Sequence, residues 1–240
     1  RVKVAALAND TVGTLVAKSY EDHDCDVAVI LGTGTNACYL EGRMIINTEW
    51  GNFDKLKSTR YDRALDASSN NPGQQILEKM VSGLYLGEVA RLVMNDLIPA
   101  GFGRLEGFKT EHMSLIEADA SPNLSKTASL LRSLRGPKGR SNLDLSNRLL
   151  VKKICRLVSR RAARISAAAM AAIVTRMDPK LVKKHTIAVD GALYERHPHF
   201  SSDIRKALKE IFGKRASRIK LSLAKDGSGI GAAIIAASAR

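Results

Sequence analysis

Three times in this sequence a short apolar run breaks directly into a glycine turn. Asp26–Leu31 runs into Gly32-Thr33-Gly34, His185–Val189 into Asp190-Gly191, and Arg218–Leu223 into Asp226-Gly227-Ser228-Gly229. Runs of this length, bounded by turn residues, read as buried strands. Glycine at a strand end permits positive φ and lets backbone N–H groups come close to phosphate oxygens. The third turn leads straight into a helix N-terminus, where the dipole favours anions. One such turn is common. Three in one chain point to an α/β domain with a phosphate or nucleotide cradle.

The stretches between these turns fill in the domain. Val2–Leu7 is a short apolar run read as a strand, and Ala37–Leu40 and Met44–Ile46 suit a meander with the 26–31 strand. Asn71-Pro72-Gly73 reads as a helix entry, with Pro72 in the first turn and apolar residues at helical spacing as far as Pro99-Ala100-Gly101. Arg135–Ser141 is a loop by composition, and a second long helix is expected from about Asp144 to Met177. Phe200–Phe212 reads as a helix capped by Ser201 or Ser202, and Gly231–Ala239 as a closing helix. No linker divides the chain, so residues 1–240 are read as one domain.

Charge is uneven. The formal net charge is +14, and residues 121–176 hold 13 Lys and Arg against the single acid Asp144. Lys152, Arg156, Arg160 and Arg164 fall four apart and would form one basic ridge, at a small repulsive cost unless acids offset it. A solvated face is favoured over a footprint for nucleic acid or an anionic surface. The same region has no aromatic residue on which bases could stack. Three scattered cysteines exclude a disulfide framework and a Cys-x-x-Cys zinc site. No run of about 18 apolar residues appears, so no membrane span is expected.

Amides and carboxylates cluster beside the predicted strands: Asn9 and Asp10 after the first, Asn36 after the glycine turn, Glu49 after the next strand. Glu78 stands at the start of the first long helix. Singly, each reads as a solvated surface group. Together they are what a polyhydroxylated sugar needs, because carboxylates accept from hydroxyls while amides both donate and accept. A carboxylate beside a primary hydroxyl could also take its proton as the oxygen attacks a phosphoryl group.

The segments N-D-T-V-G-T-L (9–15), L-G-T-G-T-N-A (31–37), I-N-T-E-W-G (46–51) and N-P-G-Q-Q-I-L-E-K-M (71–80) resemble the hexokinase–glucokinase family. So do S-G-L-Y-L-G-E (82–88), A-V-D-G-A-L-Y (188–194) and D-G-S-G-I-G-A-A (226–233), all in the family's order. W-G-N-F, T-E-H-M-S and the D-G-S-G-I-G ending lean toward plant-type members. The resemblance implies the large lobe of an actin-like, ribonuclease-H-like ATPase fold that phosphorylates a hexose from ATP and Mg²⁺. It implies Asp10 as catalytic base, and Asn9, Asn36, Glu49 and Glu78 as further sugar-holding residues. Gly32, Thr33, Gly34, Thr110, Ser114, Gly191 and Ser228 would line the nucleotide site, with no metal held directly by the protein.

The sequence also departs from the family. It lacks the Asp-x-Gly-Gly-Thr turn and the Thr-Lys pair of the family's small lobe. Leu40 runs almost directly into Arg43-Met44, and Phe53 into Asp54-Lys55, where relatives carry longer loops. A small lobe is therefore expected to lie outside these residues. The alternative is a truncated, non-catalytic scaffold contacting nucleic acid or an acidic partner through residues 121–176. Location is expected to be cytoplasmic or organelle-associated.

Overall fold

The computed structural model describes residues 4–98, 105, 107–134 and 143–238. Five strands form one mixed sheet: β1 (Cys25–Leu31), β2 (Thr35–Glu41), β3 (Met44–Asn47), β4 (His185–Asp190) and β5 (Ile219–Leu223), in the order β3-β2-β1-β4-β5. The first three make the expected antiparallel meander, turned at Gly42 with φ +65°. β4 and β5 then add in parallel on the other side of β1, which puts the Gly32 and Gly191 turns at adjacent strand ends.

Side chains alternate by size across the sheet. Val27, Val29, Leu31, Tyr39, Ile187 and Val189 face one large core, while Cys25, Ala28, Cys38 and Ala188 face a small one. Helices α2 (Arg60–Ser68), α3 (Ile76–Val81), α4 (Leu86–Leu97), α5 (Thr110–Ala118), α7 (Leu145–Met177) and α9 (Phe200–Phe212) contribute to the large core. Between them run α6 (Ser125–Leu134) and the short α8 (Ala192–Arg196). On the small-residue face lie α1 (Asp10–Glu21) and α10 (Gly227–Ser238).

The long helix to Met177 forms as expected, N-capped by Asp144 onto the Asn147 N–H. Other expectations fail for local reasons. Residues 4–9 form no strand, and Val4 and Leu7 are 80% and 98% exposed. Instead Asn9 caps α1, a helix whose Gly13 and two buried threonines hide its signal. Asn71-Pro72-Gly73 is a turn rather than a helix entry, since Gly73 and Gln75 take φ of +77° and +53° and the helix starts only at Ile76. The helix then breaks at Ser82-Gly83 because the Gly83 and Leu84 amides leave it to bond Gly32 O and Thr33 O. Neither Ser201 nor Ser202 caps α9. His199 precedes it, and the Ser202 hydroxyl donates back to the His199 carbonyl. The closing helix starts at Gly227 rather than Gly231. The Pro99-Ala100-Gly101 stop and the Arg135–Ser141 loop lie outside the described residues.

The basic ridge is largely tied down within the molecule. Arg156 grips Asp203 with two hydrogen bonds of 2.5 and 2.8 Å, Lys152 donates to the Asp119 carbonyl, and Arg164 pairs with Glu210 at 2.6 Å. Burial alone would raise the Asp203 carboxyl, but Arg156 brings it below the usual carboxylate range. The three cysteines are free and buried, and loss of solvation pushes the Cys25 and Cys38 thiols up to about 12 and about 11. They are therefore inert packing groups.

Candidate functional site

The sugar-side residues converge at one end of the sheet. Asn9 Oδ1 accepts from Thr11 N (2.9 Å) and Thr11 Oγ1 (2.6 Å), and Thr11 Oγ1 stands 3.5 Å from Asn47 Oδ1. Asn36 Nδ2 donates to Asn47 Oδ1 (2.9 Å) and Glu49 Oε1 (3.1 Å), and Asn47 Nδ2 donates to the same Glu49 oxygen (2.7 Å). Glu49 reaches them from a left-handed backbone (φ 48°), a strained state in a non-glycine residue of the kind that clusters at functional sites. Glu78 is fixed next door, its Oε2 accepting from Thr35 N at 3.0 Å. Asp10 opens α1 with an exposed carboxylate. Among the described residues its only partner is the N–H of Thr11.

Behind this row the backbone is packed without room for side chains. A Cβ on Gly34 would stand 2.9 Å from Glu78 Oε2, and one on Gly51 would overlap the Gln75 amide oxygen. Trp50 is buried there, its ring N–H donating to Thr35 Oγ1 at 3.0 Å. A separate groove of about 950 Å³ borders Glu49 and Trp50 but runs away from the polar row, between Phe53, Leu56 and the Leu157–Ile173 face of α7.

The nucleotide candidates form a second, linked set. Gly32 N donates to Gly34 O at 3.1 Å, closing the turn. Gly191 lies at φ +121°, where a side chain would overlap Leu31 and Gly32, and a Cβ on Gly83 would come to 2.7 Å from Gly32 O. Three backbones thus meet at the turn, and only glycine fits. Thr110 joins through α4, its Oγ1 accepting from Gly87 N at 2.9 Å, and the Ser114 hydroxyl bonds back to Thr110 O. Ser228 is placed differently. It lies in the first turn of α10 with its backbone pressed on Gly13 of α1, one turn from Asp10. No cluster of three metal-binding side chains occurs among the described residues.

The family model for hexokinase matches residues 26–238. The chain belongs to the hexokinase family. It is 40% and 42% identical to Hexokinase-2 and Hexokinase-7 of Oryza sativa subsp. japonica over 99% of its length, and 40% identical to Hexokinase-2 of Arabidopsis thaliana over 98%. It covers 54%, 57% and 53% of those proteins, so the chain spans about half the length of the curated relatives it matches. The plant-type leaning of its motifs agrees with these relatives, among which is one named as chloroplastic. No helix among the described residues is long and apolar enough to cross a membrane.

Solved structures agree. A crystal structure of a hexokinase matches at 36% identity with a TM-score of 0.87 over 98% of this chain and 55% of that one. The Schistosoma mansoni hexokinase complexed with glucose matches at 34% and 0.81, over 97% and 57%. A ROK-family glucokinase from Streptomyces griseus, 16% identical with a TM-score of 0.57, shares the actin-like ATPase fold alone.

Some residues of this candidate site were not singled out by sequence reasoning. Asn47 joins Asn36 to Glu49 yet lies inside the quoted I-N-T-E-W-G segment, where its place between two candidates was the available signal. Thr11 joins Asn9 to Asn47, and its proximity to Asp10 was likewise visible. Gln75, folded against Gly51 across a loop, lies inside the quoted N-P-G-Q-Q-I-L-E-K-M segment, but its contact with Gly51 had no local signal.

Proposed function

We propose that this hexokinase site transfers the γ-phosphoryl group of ATP to the 6-hydroxyl of glucose or a similar hexose, with residues 1–240 acting as the large lobe. The observation that carries the reading is the continuous amide–carboxylate row Thr11–Asn47–Asn36–Glu49, with Glu78 and the exposed Asp10 carboxylate at its margins. Such a row offers donors and acceptors in alternation to a ring of hydroxyls. Asp10 would accept the proton of the attacking hydroxyl, since little but Thr11 N competes for its lone pairs.

The glycine-lined turn at Gly32, Gly83 and Gly191 fits a phosphate chain brought close to the backbone, with Thr33 exposed beside it. Thr110, Ser114 and Ser228 would complete the nucleotide site. ATP supplies the phosphoryl group, and Mg²⁺ would be held through its phosphates. A small lobe closing over the sugar would exclude water, which competes as acceptor. The reading as a nucleic-acid scaffold is less well supported, since three of the four ridge residues are engaged inside the molecule.

The test is a coupled assay of the intact protein with glucose and ATP, repeated with Asp10→Ala. Loss of roughly 10²–10⁴ in kcat, the range for a general base, is expected with an unchanged melting temperature. Near-normal turnover of the variant would remove Asp10 from the role of base.

A further inference from the structure

Two ionisable side chains that face each other in the interior lack hydrogen bonds among the described residues. Glu117, near the end of α5, and His197, directly after α8, have side chains 0% and 1% exposed. His197 Nε2 lies 3.4 Å from Glu117 Oε1, yet both carboxylate oxygens and both ring nitrogens are without hydrogen-bond partners. Phe200 meets the imidazole edge-on at 6.0 Å between ring centroids. The buried Cys155 thiol of α7 is pushed up by desolvation, with Glu117 adding to the same direction. A buried polar group left unpaired is a net cost to the fold. A purely structural contact here would be better served by two apolar side chains.

The placement of the pair explains why a polar contact is kept. α5 begins at Thr110 and carries Ser114 one turn before Glu117, while α8 begins immediately after Gly191 and ends at Arg196, with His197 as its C-cap. Glu117 and His197 therefore close the far ends of two short segments whose near ends supply opposite walls of the nucleotide site. Those walls are also joined through the Gly87–Thr110 and Gly32–Gly191 packing. We propose that Glu117 and His197 are positioning residues that set the spacing of the α5 and Gly191 walls, and through it the affinity for ATP. The inference rests on the nucleotide reading above.

The experiment uses the intact protein and four variants: Glu117→Gln, His197→Gln, their combination, and the double Glu117→Leu/His197→Leu. ATP affinity is measured by calorimetry without hexose, alongside the hexose KM and the melting temperature. Each single change is expected to weaken ATP binding about tenfold, ~1.4 kcal/mol, while the hexose KM stays within about twofold. Because the two act as one contact, the Gln double variant binds no more weakly than the worse single.

The leucine pair is the discriminating arm. It is expected to keep or raise the melting temperature while still losing ATP affinity, a split that a packing role would not produce. Full ATP affinity in the leucine pair overturns the proposal, as does a parallel shift of ATP and hexose constants. So does a failure of every variant to fold. Wild-type protein that binds no ATP would overturn the nucleotide reading beneath it, and is distinguished by the wild type's own silence.

Discussion

The two faces of the sheet are built to different rules. Toward α7 the strands present Val27, Val29, Leu31, Ile187 and Val189, and the core behind them includes Phe200, Met170, Met94 and Leu86, all buried. Toward α1 they present Cys25, Ala28, Cys38 and Ala188, so that α1 lies close on the sheet and α10 close on α1. The thick face is held by apolar volume and by buried ion pairs at its margin. The thin face is held by backbone approach, with Gly13 and Gly231 at the crossing of the two helices. Asp10, Asn9 and Ser228 all sit on the thin face. The other site candidates, Glu78, Thr110 and Ser114, stand on helices of the thick face, so the candidate site straddles two kinds of packing, and substitutions can test how each supports it.

The largest stability loss is expected on the thick face. Phe200→Ala removes a fully buried ring and should cost about 4 kcal/mol in denaturant unfolding. The hexose KM of the folded protein should stay as it was, while ATP affinity falls because the His197 imidazole loses the ring it packs against. A loss under ~1 kcal/mol would show that α9 is not part of the main core.

Next in size is the buried pair at the margin of that face. Arg161 donates two hydrogen bonds to Asp62, at 2.7 and 2.9 Å, and the carboxylate is 6% exposed. Burial raises the Asp62 carboxyl, but Arg161 and Thr59 outweigh it and leave it below its ordinary value. A depressed folded pKa contributes stability that is present above the unfolded value of about 3.9 and is lost as pH falls through the folded one. Arg161→Met should therefore cost about 3 kcal/mol at pH 7 by stranding the charge. The deficit should shrink as pH is lowered below ~4. A deficit independent of pH would mean that the methylene packing of Arg161, not its charge, is what stabilises.

A smaller stability effect with a larger functional one is expected where the thin face is tightest. A methyl group on Gly231 would overlap the Gly13 carbonyl oxygen. Gly231→Ala should cost about 2 kcal/mol by overpacking. It should also lower kcat, because the displaced α1 carries Asp10. If stability falls while turnover per folded molecule holds, the thin face is separable from chemistry.

The thick face was largely legible in the sequence, and the thin face was not. Strands β1, β4 and β5 and the long α7 announce themselves by apolar runs and helical spacing. The glycine turns stood out for the same local reason. α1 was missed because four of its five buried positions are Thr11, Gly13, Thr14 and Ala17, and Leu15 is the single large apolar residue among them. The break at Ser82-Gly83 was missed because its cause, Gly32, is far away in sequence. Asn9, Asn36 and Glu49 could be picked out as polar residues beside predicted strands. Their hydrogen bonding to one another could not, since it depends on strand register and on the left-handed turn at Glu49.

Asn47 gives the finest test, because it belongs to neither core. It is exposed at the end of β3, so its removal should leave stability within ~0.5 kcal/mol, as for other surface positions. Yet it accepts from Asn36 and donates to Glu49, and so fixes the face that each would turn toward a sugar under the proposed function. Asn47→Ala frees the Glu49 carboxylate from one charged hydrogen bond, an interaction of about 1.5–3 kcal/mol. A rise of about tenfold in hexose KM should follow, with the ATP KM unmoved, since a tenfold change corresponds to ~1.4 kcal/mol. Asn47→Asp should be worse than alanine, because it sets a second negative charge where Asn47 Nδ2 now lies 2.7 Å from Glu49 Oε1. If both variants bind hexose like the wild type, the row of amides is a surface ornament of the sheet end, and Glu49 is oriented by its own backbone alone.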